Sequence, residues 1–127
     1  AWDVLAANDW TLGDHLTEFS DCFYHDGKGD ADLLVANMAF AKALTARGLT
    51  GADLGIVQLW PRAGAPAGID NAISFKWITG YPKHSAYANF THIWWNEGLT
   101  NEWNALYGDI VSCDAGRVYQ SQVMNTP

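Results

Sequence analysis

Three side chains that can move a proton or hold a polar ligand, Glu18, Tyr24 and Lys76, fall on segments that alternate like strands. A carboxylate, a phenol and an ammonium lining one cleft can bind a polar ligand or act as acid and base. The same three are equally the ordinary cross-strand pairs of a solvated or dimer-buried sheet face. Cys22 lies three residues from His25, a nucleophile and a base in sequence, but three steps along a strand turn two side chains to opposite faces. His15, His25, His84 and His92 form no His-Glu-x-x-His, and no Cys-x-x-Cys occurs, so no metal site is expected. His84 and His92 can share a helix face as a ligand pair or as unrelated surface residues. Gly27-Lys28-Gly29 lacks the spacing of a phosphate loop and reads as a turn. There is no Gly-x-Ser-x-Gly elbow, and no cofactor is expected.

A second group is aromatic. In Ile93-Trp94-Trp95-Asn96 a helical stripe takes Trp94 inward and leaves Trp95 about 100° further round. Trp95, with His92 and Trp103, can anchor an interface, stack on carbohydrate, or pack against the N-terminal segment. Asn89-Phe90-Thr91 is a glycosylation triplet of the kind that also arises by chance.

These residues need elements to position them. Leu16 to Tyr24 alternates as a strand, with Thr17, Phe19, Asp21 and Phe23 on one face and Leu16, Glu18, Ser20, Cys22 and Tyr24 on the other. Asp30 or Asp32 caps a helix running to about Arg47. Strands follow over Leu54 to Trp60 and Ala72 to Ile78, joined as a hairpin around residues 63–68, with Gly80-Tyr81-Pro82 as the stop. Lys83 to Asn96 reads as a helix with Tyr87, Phe90 and Trp94 on one stripe, and Thr100 as the cap of another carrying Trp103, Leu106, Tyr107 and Ile110. Arg117 to Val123 is the last strand. The segment 1–13, with Trp2, Val4, Leu5 and Trp10, packs on the domain as an arm. With helices over the face bearing Phe19, Phe23, Phe75 and Trp77, the open face carries Glu18, Ser20, Tyr24, Ser74 and Lys76. Asp21 then falls on the core face and needs a partner or exposure through a bulge.

Length and charge bound the rest. The chain has 127 residues, 49% hydrophobic and 17% charged, which suits one globular α+β domain. Seven Trp, five Tyr and five Phe give a large aromatic mass. A net charge of −7 argues against nucleic acid as partner, and no run is long enough for a membrane span. A start at Ala1 without Met is what a mature exported chain would show after removal of a signal peptide, and an artificially trimmed chain would look the same.

The element order βαββαβ resembles the ferredoxin-like unit and the dimeric α+β barrel superfamily built on it. That resemblance implies a four-stranded antiparallel sheet of order 4-1-3-2, helices on one face, and strands one and four as neighbours. Cys22 near the end of strand one and Cys113 before strand four would then form a disulfide. In addition, Cys22-Phe23-Tyr24-His25-Asp26-Gly27-Lys28, Asp32 at a helix start and Cys113-Asp114 resemble a group of uncharacterised secreted proteins of aquatic bacteria, which often carry Trp or Tyr where this chain has Phe40. The expectation is an exported, non-enzymatic domain that self-associates or joins an extracellular or cell-surface assembly. The alternatives are a small cofactor-independent enzyme of the α+β barrel type, a monooxygenase or isomerase using Glu18, Tyr24 and Lys76, and a carbohydrate-binding module.

Overall fold

The computed structural model describes residues 2–7, 13–61 and 73–123. Six strands and three helices follow in the order β1 (Trp2–Leu5), β2 (Gly13–Tyr24), α1 (Asp30–Ala46), β3 (Gly55–Leu59), β4 (Ser74–Tyr81), α2 (His84–Asn96), α3 (Leu99–Tyr107), β5 (Val111–Cys113) and β6 (Arg117–Val123). The strands form one antiparallel sheet of order β1-β3-β4-β2-β5, with β6 also pairing β2.

The expected four-stranded ferredoxin-like sheet is therefore corrected to a six-stranded one. The N-terminal segment is more than a packed arm. Trp2 to Leu5 adds an edge strand to β3, tucks Val4 into the core and sets Trp2 edge-on to Trp60 with ring centroids 4.9 Å apart. The C-terminal strand is broken in two. Cys113 opposes Cys22 and Arg117 opposes Phe19, so four steps on one strand face three on the other, the mark of a bulge. The bulge is held by Asp114, whose Oδ1 accepts the Asp21 amide at 2.7 Å while its own amide donates to the Asp21 carbonyl at 2.9 Å. Trp10, the 63–68 turn and residues 124–127 lie outside the described residues.

The helices start and stop where local chemistry requires. At α1 the Gly29 amide donates to Asp32 Oδ2 at 3.0 Å, and Asp30 and Asp32 place negative charge in the first turn. The corner between α2 and α3 is made by Gly98, at φ 75°, rather than by a Thr100 cap. That left-handed geometry suits glycine, and it puts Thr100 inside the helix. Arg47 at the end of α1 ties this corner down, donating to the Glu97 carbonyl at 3.1 Å and pairing with Glu102 at 2.8 Å. β4 runs through Gly80 to Tyr81 rather than ending near Ile78, because Tyr81 pairs with Leu16 and is almost wholly buried.

All three helices pack on one face of the sheet. Phe40 of α1 and Trp103 of α3 meet Trp77 with centroids 6.2 and 6.1 Å apart, and Tyr87 and Phe90 of α2 meet Tyr81 at 5.1 and 5.7 Å. A buried polar triad crosses the layers. Asn37 and Gln58 exchange two side-chain hydrogen bonds of 2.7 and 3.0 Å, and Tyr107 donates its hydroxyl to Asn37 Oδ1 at 2.8 Å. Cys22 and Cys113 are bonded, as expected, across 91 residues of sequence. Their Cα atoms are 4.0 Å apart, below the usual lower bound of about 4.4 Å. They sit directly opposite each other on adjacent strands. No helix among the described residues is long and apolar enough to cross a membrane.

Candidate functional site: an aromatic cleft over the sheet

Register decides which side chains face the helices. Cys22 pairs with Phe75, Ser20 with Trp77, Glu18 with Thr79 and Leu16 with Tyr81, so these eight share the covered face. Tyr24 joins them, its ring 5.5 Å from that of Phe75. Phe19, Asp21 and Phe23 point the other way, opposite Ile78, Lys76 and Ser74. The expected faces of β2 are thus exchanged. The strand is apolar on both sides, so alternation alone does not choose between them. Asp21 is consequently on the open face and ion-paired, 3.3 Å from Lys76 and 3.0 Å from Arg117, which also reaches Asp114 at 2.9 Å.

Glu18, Tyr24 and Lys76 therefore do not form one site. Lys76 lies on the open face with Asp21. Tyr24 is buried and donates its hydroxyl to Asp30 Oδ1, and burial followed by that acidic neighbour raises its pKa. Glu18 alone lines a cleft.

That cleft, of about 440 Å³, lies between the covered sheet face and the helix pair α2–α3. Its floor is Trp77, Thr79, Tyr81 and Ile56 from the central strands. Its helical wall is Tyr87, Phe90, Thr91, Trp94 and Trp95 from α2, with Trp103 from α3 and Phe40 from α1. The indoles brace one another: Trp94 meets Trp103 and Trp95 edge-on at 6.3 and 6.5 Å, and Trp103 stacks on Tyr107 at 5.0 Å. The Trp77 indole N–H is occupied by Thr79 Oγ1 at 3.3 Å, and the Thr91 hydroxyl donates to the Tyr87 carbonyl at 2.9 Å. At the remaining edge stand Ser20, Glu18 and the bulge residues Cys113, Asp114 and Gly116.

Trp95 and Trp103 both line this cleft, whereas His92 does not. His92 is exposed on α2 beside Asn96, at 3.3 Å. Trp95 is 67% exposed and so forms the rim. His84 and Asn89 are exposed on α2. His25 Nε2 is 2.6 Å from Ser112 Oγ, which ties the turn after β2 to β5 and leaves no Cys22–His25 pair, since Cys22 is in the disulfide. No cluster of metal-ligating side chains occurs among the described residues.

Glu18 is the unusual member. It is half-buried, and burial raises its carboxyl pKa above the ordinary value. The carboxylate lies against Gly116, where a Cβ would overlap its oxygen and come within 2.8 Å of Cδ. The bulge and its glycine make the room this side chain occupies. Asp114, the other acid of the cleft, is compensated. Burial pushes its carboxyl up, but hydrogen bonds from Arg117 and the Asp21 amide and nearby cations outweigh this and hold it low. Tyr81 is raised by burial first and by the charge of Glu18 second. Glu18 and the bulge that accommodates it were not recognisable as a pair in sequence, because the bulge appears only once β5 and β6 are in register with β2.

No protein-family model matches the chain, and no curated protein matches it in sequence.

Proposed function

We propose that this chain is an exported domain that binds a small, largely apolar molecule in the cleft between the sheet and α2–α3. The observation that carries the reading is the cleft itself. Its volume of about 440 Å³ falls in the range of small-ligand sites, and eight of its sixteen described lining residues are aromatic. Rings packed edge-on around one another are held in place, so the walls require little ordering when a ligand enters. Export is supported by the disulfide, a bond that persists in oxidising compartments.

Four of the lining residues are tryptophans, which makes intrinsic fluorescence the assay. A panel of apolar and aromatic fragments titrated to millimolar concentration should contain compounds that shift or quench the emission and raise the melting temperature. Thr91→Phe, which fills the cleft from its helical wall, should abolish both responses. A panel without hits, or hits that survive Thr91→Phe, would remove the reading.

A second reading, self-association, has one observation of its own. Helix α1 is apolar on both sides: Leu33, Ala36, Phe40 and Leu44 are buried, while Leu34, Val35 and Met38 on the outer side are 45%, 69% and 60% exposed. A second copy of the chain packed on this stripe would cover it. Light scattering at high micromolar concentration should then give a dimer mass that Met38→Glu reduces to a monomer. A monomer mass for the unmodified chain would retire this reading.

A further inference from the structure

We propose that the ligand of the aromatic cleft is an organic cation, a quaternary ammonium or a substituted amine, held by the rings and by the Glu18 carboxylate. The inference rests on the cleft being a ligand site and names what that site would take.

The charges decide the class. Two carboxylates line the cleft, and no Lys, Arg or His does among the described residues. Asp114 is already answered by Arg117 at 2.9 Å. Among the described residues Glu18 has no such counter-ion. Its strand neighbours across the sheet are Thr79 and Val118, and the titratable groups near it are Tyr81 on β4, Tyr87 on α2 and Asp114 on the β5–β6 link. None of these supplies a positive charge. An anionic ligand would be repelled by both acids. A neutral one would leave Glu18 uncompensated in surroundings that already disfavour its charge. A cation would satisfy the carboxylate and present its polarised methyl or methylene groups to the rings of Trp94, Trp95, Trp103 and Tyr87, which attract positive charge. The net charge of −7 adds a long-range field that concentrates cations near the surface.

The test uses phenyltrimethylammonium, its neutral carbon isostere tert-butylbenzene, and benzoate, each followed by tryptophan emission. The cation should bind at least about tenfold more tightly than the isostere, and benzoate should not bind. Glu18→Gln, which removes a poorly solvated charge and leaves the fold intact, should weaken the cation about tenfold and leave the isostere unchanged. Trp95→Ala at the rim should weaken the cation as well. Affinity for the cation should fall as the pH is lowered through the raised pKa of Glu18, and this fall should vanish in Glu18→Gln. Equal or tighter binding of the isostere would overturn the cation assignment while leaving the cleft a ligand site. Silence from all three probes in wild type and variants would overturn both.

Discussion

Replacing Asn37 by Leu should destabilise the protein far more than the loss of one side chain suggests. Asn37 is 5% exposed on α1, Gln58 on β3 and Tyr107 on α3 are both 0% exposed, and the three share hydrogen bonds of 2.7, 3.0 and 2.8 Å. The branched leucine keeps the approximate shape of the amide but removes all three bonds together. It strands the Gln58 carbonyl, the Gln58 amide nitrogen and the Tyr107 hydroxyl where water does not reach. An orphaned buried polar group costs about 1–3 kcal/mol, so three of them give about 3–9 kcal/mol, and partial relaxation places the expected loss near 4 kcal/mol. In a chain of this length that is a fall of roughly 15 °C in melting temperature. Urea denaturation followed by circular dichroism measures it directly. The combined Asn37→Leu, Gln58→Leu, Tyr107→Phe variant leaves no polar group unsatisfied and should lie within about 1.5 kcal/mol of wild type. A single variant that loses under about 1 kcal/mol, or a triple variant as weak as the sum of its parts, would refute the reasoning.

Two further outcomes follow from the same structure. Replacing both Cys22 and Cys113 by Ser opens a crosslink across 91 residues and should cost about 4.5 kcal/mol in the chain-entropy model, read as a lower urea midpoint; a loss below about 1 kcal/mol would show that the sheet alone fixes β5 on β2. Glu18, whose pKa is higher folded than unfolded, binds its proton more readily in the native state, so its contribution favours folding at low pH and turns unfavourable as pH rises from the unfolded value through the folded one. Glu18→Gln should therefore melt higher than wild type at pH 7–8, with the advantage disappearing near pH 4; an unchanged or lower melting temperature at neutral pH would contradict the burial of that charge.

Much of the element content was legible in residue pattern. The alternation from Leu16 to Tyr24, the Ala- and Leu-rich stretch that ends before Gly48, and the aromatic stripes of α2 and α3 each state a period that the backbone obeys. The edge strand β1 was not legible, since four residues carry too little pattern to distinguish a strand from a packed arm. What failed for a stronger physical reason was the assignment of faces. Phe19 and Phe23 on one side of β2, and Leu16, Cys22 and Tyr24 on the other, satisfy a core equally well. The choice is made by long-range partners: Cys113 bonded to Cys22, Phe75 against Tyr24, and the Asp21 carboxylate between Lys76 and Arg117.

That exchange of faces is also what separates Glu18 from Lys76 and changes the chemistry on offer. The register sets Glu18 opposite Thr79 and Lys76 opposite Asp21. On opposite faces Lys76 finds Asp21, and Glu18 is left among aromatic rings with no counter-ion among the described residues. The bulge at 114–116 keeps it there, since a strand continuing without a break from Cys113 would place a side chain where Gly116 leaves space. An uncompensated acid inside an aromatic cleft works against folding stability at neutral pH. A ligand that carried the missing positive charge would reverse that penalty, and the size of the reversal would appear as the excess stabilisation of wild type over Glu18→Gln when the cation is added.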